Sequence, residues 1–248
     1  MIRFSLFGIP IGLHFSFALI AFIVGGQAGR GALTLYTEIT VVLAVILIAV
    51  LLHEVGHALT ARRFGASQIS ITLFAMGGVT TYSKDPPLSP GKRFLIAAAG
   101  SGIGIFVGGI VLLAWWAGFF DEASILLRFA LRWFIFASLG WGILNWIPIR
   151  PLDGGLMLTA GLEMIIPDRA DVIARVVTLL VGAVVVVGAV VAREPILALF
   201  VVFLIVVGVR PQPRTHEQRR SDTSSTDTAK VEFRRELSDE DGHHDFPI

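Results

Sequence analysis

No cysteine occurs in the 248 residues. That absence excludes disulfides, thiolate nucleophiles and every cysteine-based metal centre, so a bound metal would have to be held by His, Asp or Glu. Charge is also scarce. Asp, Glu, Lys and Arg make up 16% of the chain, against about 25% in soluble domains. The charges are unevenly spread: residues 211–248 hold 6 Lys/Arg and 9 Asp/Glu, and the first 210 residues hold the remaining 14 and 10. A net charge of +1, without a basic patch interleaved with aromatics, offers nothing to nucleic acid. Apolar side chains fill the space, at 54% of residues and a mean hydropathy of +0.77. This is the composition of a chain embedded in a lipid bilayer.

A helix needs about 20 residues to cross the hydrocarbon, at ~1.5 Å each. Candidate spans lie at roughly 9–26, 38–61, 94–118, 125–147, 172–192 and 195–209. The third is the cleanest, with no charge from Phe94 to Phe120. The expected fold is an all-α polytopic membrane protein of about six transmembrane helices, with a short membrane-associated β segment between the second and third. The start, "MIRFSLFGIPIGLHFSF", resembles a signal peptide, but no small-x-small cleavage site follows, which favours a retained first helix. Six spans put both termini on one side. With that topology the termini side carries 16 Lys/Arg and the opposite side 4 (Arg30, Arg128, Arg132 and Arg193). The positive-inside rule then predicts a multi-pass cell-membrane protein with both termini and the 62–93 loop in the cytoplasm. Within that loop, residues 66–82 are rich in β-branched and aromatic residues, and Gly77-Gly78 suggests the turn of a hairpin. "KDPPLSPGKR" reads as a rigid exposed turn. Residues 1–210 form the expected membrane core. Residues 211–248, polar and mixed in charge, are expected to be a disordered tail in which His243 and His244 are solvated.

The chemistry is concentrated in "LLHEVGHALTARRFG". His53 and His57 are four apart on a helix and share a face, so both imidazoles can hold one metal ion. Glu54 beside them is suited to act as general base towards a metal-activated water. Ionisable groups at membrane depth are costly and are retained when they are used. Arg62 and Arg63 set the depth, placing His57 within about 10 Å of the cytoplasmic interface. A catalytic zinc takes three protein ligands and leaves one position open. "LNWIPIRPLDGG" offers Asp153, on a segment broken by Pro148 and Pro151, although Pro-Leu-Asp-Gly-Gly alone reads as an ordinary turn. His14 is a further intramembrane ionisable group, able to face a cavity. Glu163 and Asp168 read as solvated charges at the interface.

His-Glu-x-x-His in one membrane helix, followed by Asn-x-x-Pro-x-x-x-x-Asp-Gly (Asn145, Pro148, Asp153, Gly154), resembles the site-2 protease family of intramembrane zinc metalloproteases. The resemblance covers about residues 1–210. It implies one Zn2+ held by His53, His57 and Asp153, with Glu54 as general base. Asn145 lies at the family's asparagine, which helps hold the substrate or the developing oxyanion. Residues 66–82, with Phe74, Gly77 and Gly78, resemble the family's β segment, to which an unwound peptide could add as a strand. With His14, these are the candidate substrate-binding residues. Gly100-Ser101 and Gly104 stand where many members have Gly-Pro and an Asn, and Gly100-x-x-x-Gly104 reads as close helix packing. The implied activity is zinc endopeptidase cleavage of transmembrane segments in membrane-anchored substrates, which in some relatives are first cut by another protease. The implied architecture is a minimal core without PDZ or CBS domains. Two other readings remain at this point. One is a metal-binding transporter, which would string ionisable groups across several depths. The other is an inactive scaffold of the same fold, against which the intact Glu54 counts.

Overall fold

The computed structural model describes residues 1–19 and 34–210. The chain begins with a β-hairpin, β1 (Ile2–Leu6) and β2 (Ile9–Leu13). Its turn residues Phe7 and Gly8 have φ of 51° and 74°, the positive pair that a two-residue turn needs to match strand twist. The expected helix over 9–26 is therefore corrected at its start. Ile9 and Ile11 alternate inward around an exposed Pro10, a period of two that a hydropathy window cannot separate from a helix. Residues 17–19 are helical, and 20–26 lie outside the described residues.

Helix α1 (Leu35–Arg63) is capped by the Thr34 side chain, which accepts from Thr37 N–H, and closes on Arg62 and Arg63. A second hairpin follows, β3 (Ser67–Phe74) and β4 (Gly77–Ser83). Its turn is Ala75-Met76, so Gly77 and Gly78 open β4 rather than making the turn. The four strands form one sheet in the order β1-β2-β3-β4, with β2 and β3 parallel and Ile11 opposite Ile71. Parallel neighbours need a long crossover, and α1 lies within it. The sheet is therefore not a local insertion between two helices, as expected, but joins the start of the chain to the segment after α1. Arg62 Nη1 reinforces the join by donating to the Phe7 carbonyl at 2.7 Å. Ile9, Ile11, Ile71 and Leu73 are buried in the same cluster as Val50, Val55 and Ala58 of α1.

Helix α2 (Pro90–Trp116) starts with proline at a position that needs no N–H. It approaches α1 closely at Gly56, where a Cβ would lie 2.7 Å from the Ala99 carbonyl oxygen. Helix α3 (Ile125–Leu144) contains a π-helical stretch over Phe136–Gly140. Helix α4 (Asp153–Ile165) was not expected. At 13 residues it is about 20 Å long, too short for a spanning criterion. Helices α5 (Ala170–Val191) and α6 (Pro195–Gly208) complete the described chain.

Among the described residues four helices are long and apolar enough to cross a membrane: Leu35–Arg63, Pro90–Trp116, Ile125–Leu144 and Pro167–Val191. Pro195–Gly208 is shorter. The expected count of six is not reached among these residues. Exposed apolar side chains such as Phe106, Leu113, Leu180 and Val184 give these helices the outward face that lipid requires. The expected tail, 211–248, lies outside the described residues.

Candidate metal centre

His53 and His57 project from one face of α1, as their spacing requires. Their Nε2 atoms come within 3.0 Å of each other. Asp153, the first residue of α4, meets both: Oδ1 lies 3.3 Å from His57 Nε2, and Oδ2 lies 3.4 Å from His53 Nε2. One ligand atom from each of the three residues falls within 4.8 Å of the others, and all three side chains are buried.

The donor set suits a metal. His57 Nδ1 lies 2.7 Å from the Ile96 carbonyl oxygen, which can only accept, so that nitrogen carries the proton. His57 Nε2 is then a lone pair, directed at a second imidazole nitrogen and a carboxylate. Lone pairs converging in a buried space call for a cation, and an imidazole with its far N–H anchored on a carbonyl is the usual arrangement of a metal-bound histidine.

Several local features bring the distant carboxylate to this point. Asn145 closes α3, and its carbonyl oxygen accepts from Gly154 N–H at 2.6 Å. The loop between them, with Pro148 and Pro151, is thereby drawn shut. Gly154 lies so close to the Trp146 carbonyl that a Cβ would overlap it. A glycine after Asp153 is thus a steric requirement of the loop. Arg150 is buried, and its Nη1 donates to Asp171 Oδ1 at 2.8 Å. Its N–H donates to Thr178 Oγ1 at 3.2 Å. Both contacts fasten the loop to α5.

Glu54, next to His53, is 4% exposed and is covered by strand β4. Thr80 Oγ1 donates to Glu54 Oε2 at 2.6 Å. Gly78, two residues earlier on the same strand face, leaves room for the carboxyl group: a Cβ there would sit 2.5 Å from Glu54 Cγ and 2.6 Å from Oε1.

His53, Glu54, His57 and Asp153 are therefore buried together, and Asn145, also buried, is tied by its carbonyl to Gly154 next to Asp153. Gly78 also joins this group, through Glu54. Phe74 and Gly77 pair across the hairpin end, and Gly77 faces Trp141 rather than Glu54. His14 is not brought to the metal-ligating group. It is exposed, follows β2 rather than sitting in a membrane helix, and bonds through Nδ1 to Ser16 Oγ at 2.7 Å. Glu163 is ion-paired with Arg93, and Asp168 is exposed in a short 3-10 turn. His243 and His244 lie outside the described residues.

Sequence reasoning passes over Thr80, and Ser101 stands out in it only as a departure from the family's Gly-Pro. Ser101 is fully buried and donates its hydroxyl to Asp153 Oδ2. A serine inside a charge-free apolar helix was the available signal, because a hydroxyl at membrane depth seeks a partner.

Comparison with known proteins agrees with this geometry. A family model described as Peptidase family M50 matches residues 41–121, which include both histidines and Glu54. Zinc metalloprotease MJ0392 of Methanocaldococcus jannaschii is 30% identical over 161 residues, covering 63% of this chain and 44% of the relative. Putative zinc metalloprotease Rip3 of Mycobacterium tuberculosis is 31% identical over 164 residues, covering 62% and 41%. The chain thus spans less than half the length of these curated relatives. The solved structure of the Site-2 Protease from Methanocaldococcus jannaschii superposes with a TM-score of 0.59 at 25% identity, covering 86% of this chain and 97% of that one.

Proposed function

We propose that the chain is a member of peptidase family M50 of the site-2 protease type, which the match over residues 41–121 and the superposition support, and that it is an intramembrane zinc endopeptidase. It would cut transmembrane segments of membrane-anchored proteins. The observation that carries this reading is the convergence of His53 Nε2, His57 Nε2 and the Asp153 carboxylate within 4.8 Å, beside Glu54 on the same helix. Bound there by these three residues, zinc would act as a Lewis acid, lowering the pKa of water and polarising a carbonyl.

The remaining work falls to the chain. Glu54 takes the proton of the attacking water and returns it to the leaving amide nitrogen. Its two oxygens are not equivalent, since Thr80 occupies Oε2 and Oε1 is left to handle the proton. The Asn145 side-chain amide is a suitable donor to the carbonyl oxygen as negative charge develops on it. A transmembrane helix must be unwound before its peptide bond is exposed, and an extended peptide needs a strand to pair with. β4 is an edge of the sheet, and its face already touches Glu54. Clustering of the ionisable groups in one centre, rather than along a path, supports an enzyme over a transporter.

The shared sheet holds residues 2–13 beside 67–83, which supports one common side for the N-terminus and the 62–93 loop. With Arg62, Arg63, Lys84, Lys92 and Arg93 there, that side is the cytoplasm.

The test is cleavage of a panel of single-span substrates by the reconstituted protein, with metal analysis of the same samples. Wild type should contain about one zinc per chain and cut within the span. Absence of zinc from the wild type would overturn the reading.

A further inference from the structure

The ligands come from α1 and α4, and three of the residues that meet them come from α2. Ile96 and Gly100 lie one turn apart on that helix, at a spacing of four, and Ser101 flanks them. Each meets a different requirement of the centre. The Ile96 carbonyl accepts from His57 Nδ1 at 2.7 Å. Gly100 leaves the space that the His57 imidazole fills, since a Cβ there would overlap the ring. Ser101 donates to Asp153 Oδ2.

The Ser101 contact bears on the metal. A carboxylate can offer a metal one oxygen or two, and the second would take up coordination space that a catalytic site keeps open. A hydroxyl on Oδ2, which also lies 3.4 Å from His53 Nε2, takes up one of that oxygen's lone pairs and fixes the plane of the group, leaving Oδ1, 3.3 Å from His57 Nε2, as the oxygen without a hydroxyl partner. Ser101 is itself 0% exposed, so water cannot replace its proton without a rearrangement of α2. The neighbouring buried serine, Ser138 on α3, shows that burial alone does not give a hydroxyl such a partner. Its Oγ has no hydrogen-bond partner among the described residues.

We propose that Ser101 is a positioning residue that holds Asp153 as a one-oxygen ligand, making residues 96–101 of α2 part of the outer shell of the metal centre. This rests on the metal reading above and adds a residue to it. Outer-shell partners of metal ligands are typically worth about 10–100-fold in metal affinity.

The experiment uses the full chain in detergent, stripped of metal, and measures three things. Zn2+ affinity is read by competition with a chromophoric chelator. The visible absorption of the Co2+ form reports the ligand field. Tm is read with and without zinc. Ser101→Ala, and Ser101→Gly beside it as a second side chain without a hydroxyl, should weaken zinc binding about 10–100-fold and alter the Co2+ spectrum. Both should shrink the zinc-induced rise in Tm, and Ser101→Ala should leave the apo Tm near wild type. Ser138→Ala should match wild type in all three. Wild-type affinity and spectrum in both Ser101 variants would overturn the proposal. So would a fall in apo Tm with an unchanged zinc-induced increment, because Ser101 would then be only a packing residue. If the wild-type chain itself binds no zinc, the metal reading fails and this inference falls with it. If wild type binds zinc and the variants bind equally well, this inference alone fails.

Discussion

Thr80 reaches Glu54 across the gap between a strand and a helix, its Oγ1 lying 2.6 Å from Oε2 and 3.1 Å from the Glu54 carbonyl oxygen. A hydroxyl has one proton, and the shorter approach is to the carboxylate. The β-sheet therefore does more than present an edge: it holds the Glu54 carboxylate in place. Thr80→Val keeps the shape and removes the donor. It should lower kcat about tenfold, a fraction of what general base catalysis contributes, and leave zinc content unchanged. Proteoliposome kinetics with metal analysis measure both, and a loss of zinc would contradict the assignment.

Glu54→Gln leaves the size of the side chain and takes away its basicity. Cleavage should fall by about 10²–10⁴-fold while the protein still binds one zinc. Single-turnover cleavage and metal stoichiometry on the same preparation test this. Wild-type cutting by the variant would remove Glu54 from its role.

Gly100→Ala should be far more damaging than its chemistry suggests. The added methyl projects from helix backbone into the imidazole of His57, and neither side has a flexible end to yield. Zinc content should drop well below one per chain. Gly109 on the same helix has nothing within 4 Å of a built Cβ. Gly109→Ala should keep full zinc and raise stability slightly, since alanine is favoured over glycine in a helix by up to about 1 kcal/mol. Metal analysis and thermal melts distinguish the two variants.

The loop before Asp153 gives a prediction about order of severity. Arg150 is buried, its Nε and Nη2 lack partners among the described residues, and its one ion pair is with Asp171. Removing the anion strands a buried cation, whereas removing the cation leaves a carboxylate that is 45% exposed and also paired with Arg175. Asp171→Ala should therefore destabilise more than Arg150→Met. The difference should be about 1–3 kcal/mol, below the value for a fully buried pair because Asp171 reaches solvent. Melting of the detergent-solubilised variants reads the difference directly, and the reverse order would refute the account of the loop.

How far these features could be read from sequence depended on contrast. His53, Glu54 and His57 stand out because polar groups interrupt an apolar run, and their spacing alone places both histidines on one face. Asp153 was ambiguous by itself, since Pro-Leu-Asp-Gly-Gly is also an ordinary turn, and only the pairing of two motifs pointed to it. Ile9–Leu13 reads as helix in the sequence because a short apolar stretch leading into a longer apolar run carries no period that a hydropathy window can detect. The Phe7-Gly8 turn was the overlooked sign. Helix α4 escaped a criterion based on length. Thr80 and Ser101 act across 26 and 52 positions, and a serine or threonine carries no local mark of what it will meet. The small residues of α2 were read as packing, and at Gly100 that is so: the partner is the His57 ring.

The parallel pairing of β2 with β3 also has a consequence for the order in which the molecule is made. A strand near the start of the chain has only its hairpin partner until Ile71 has been synthesised, so its open edge must be carried through the insertion of α1 before it can be covered. The metal-binding group matures later still, because Asp153 emerges 96 residues after His57. On the reading proposed above, a half-translated chain carries the histidines and the glutamate but cannot hydrolyse anything. On that same reading, competence waits for the Asp153 carboxylate, made after the strand that covers Glu54.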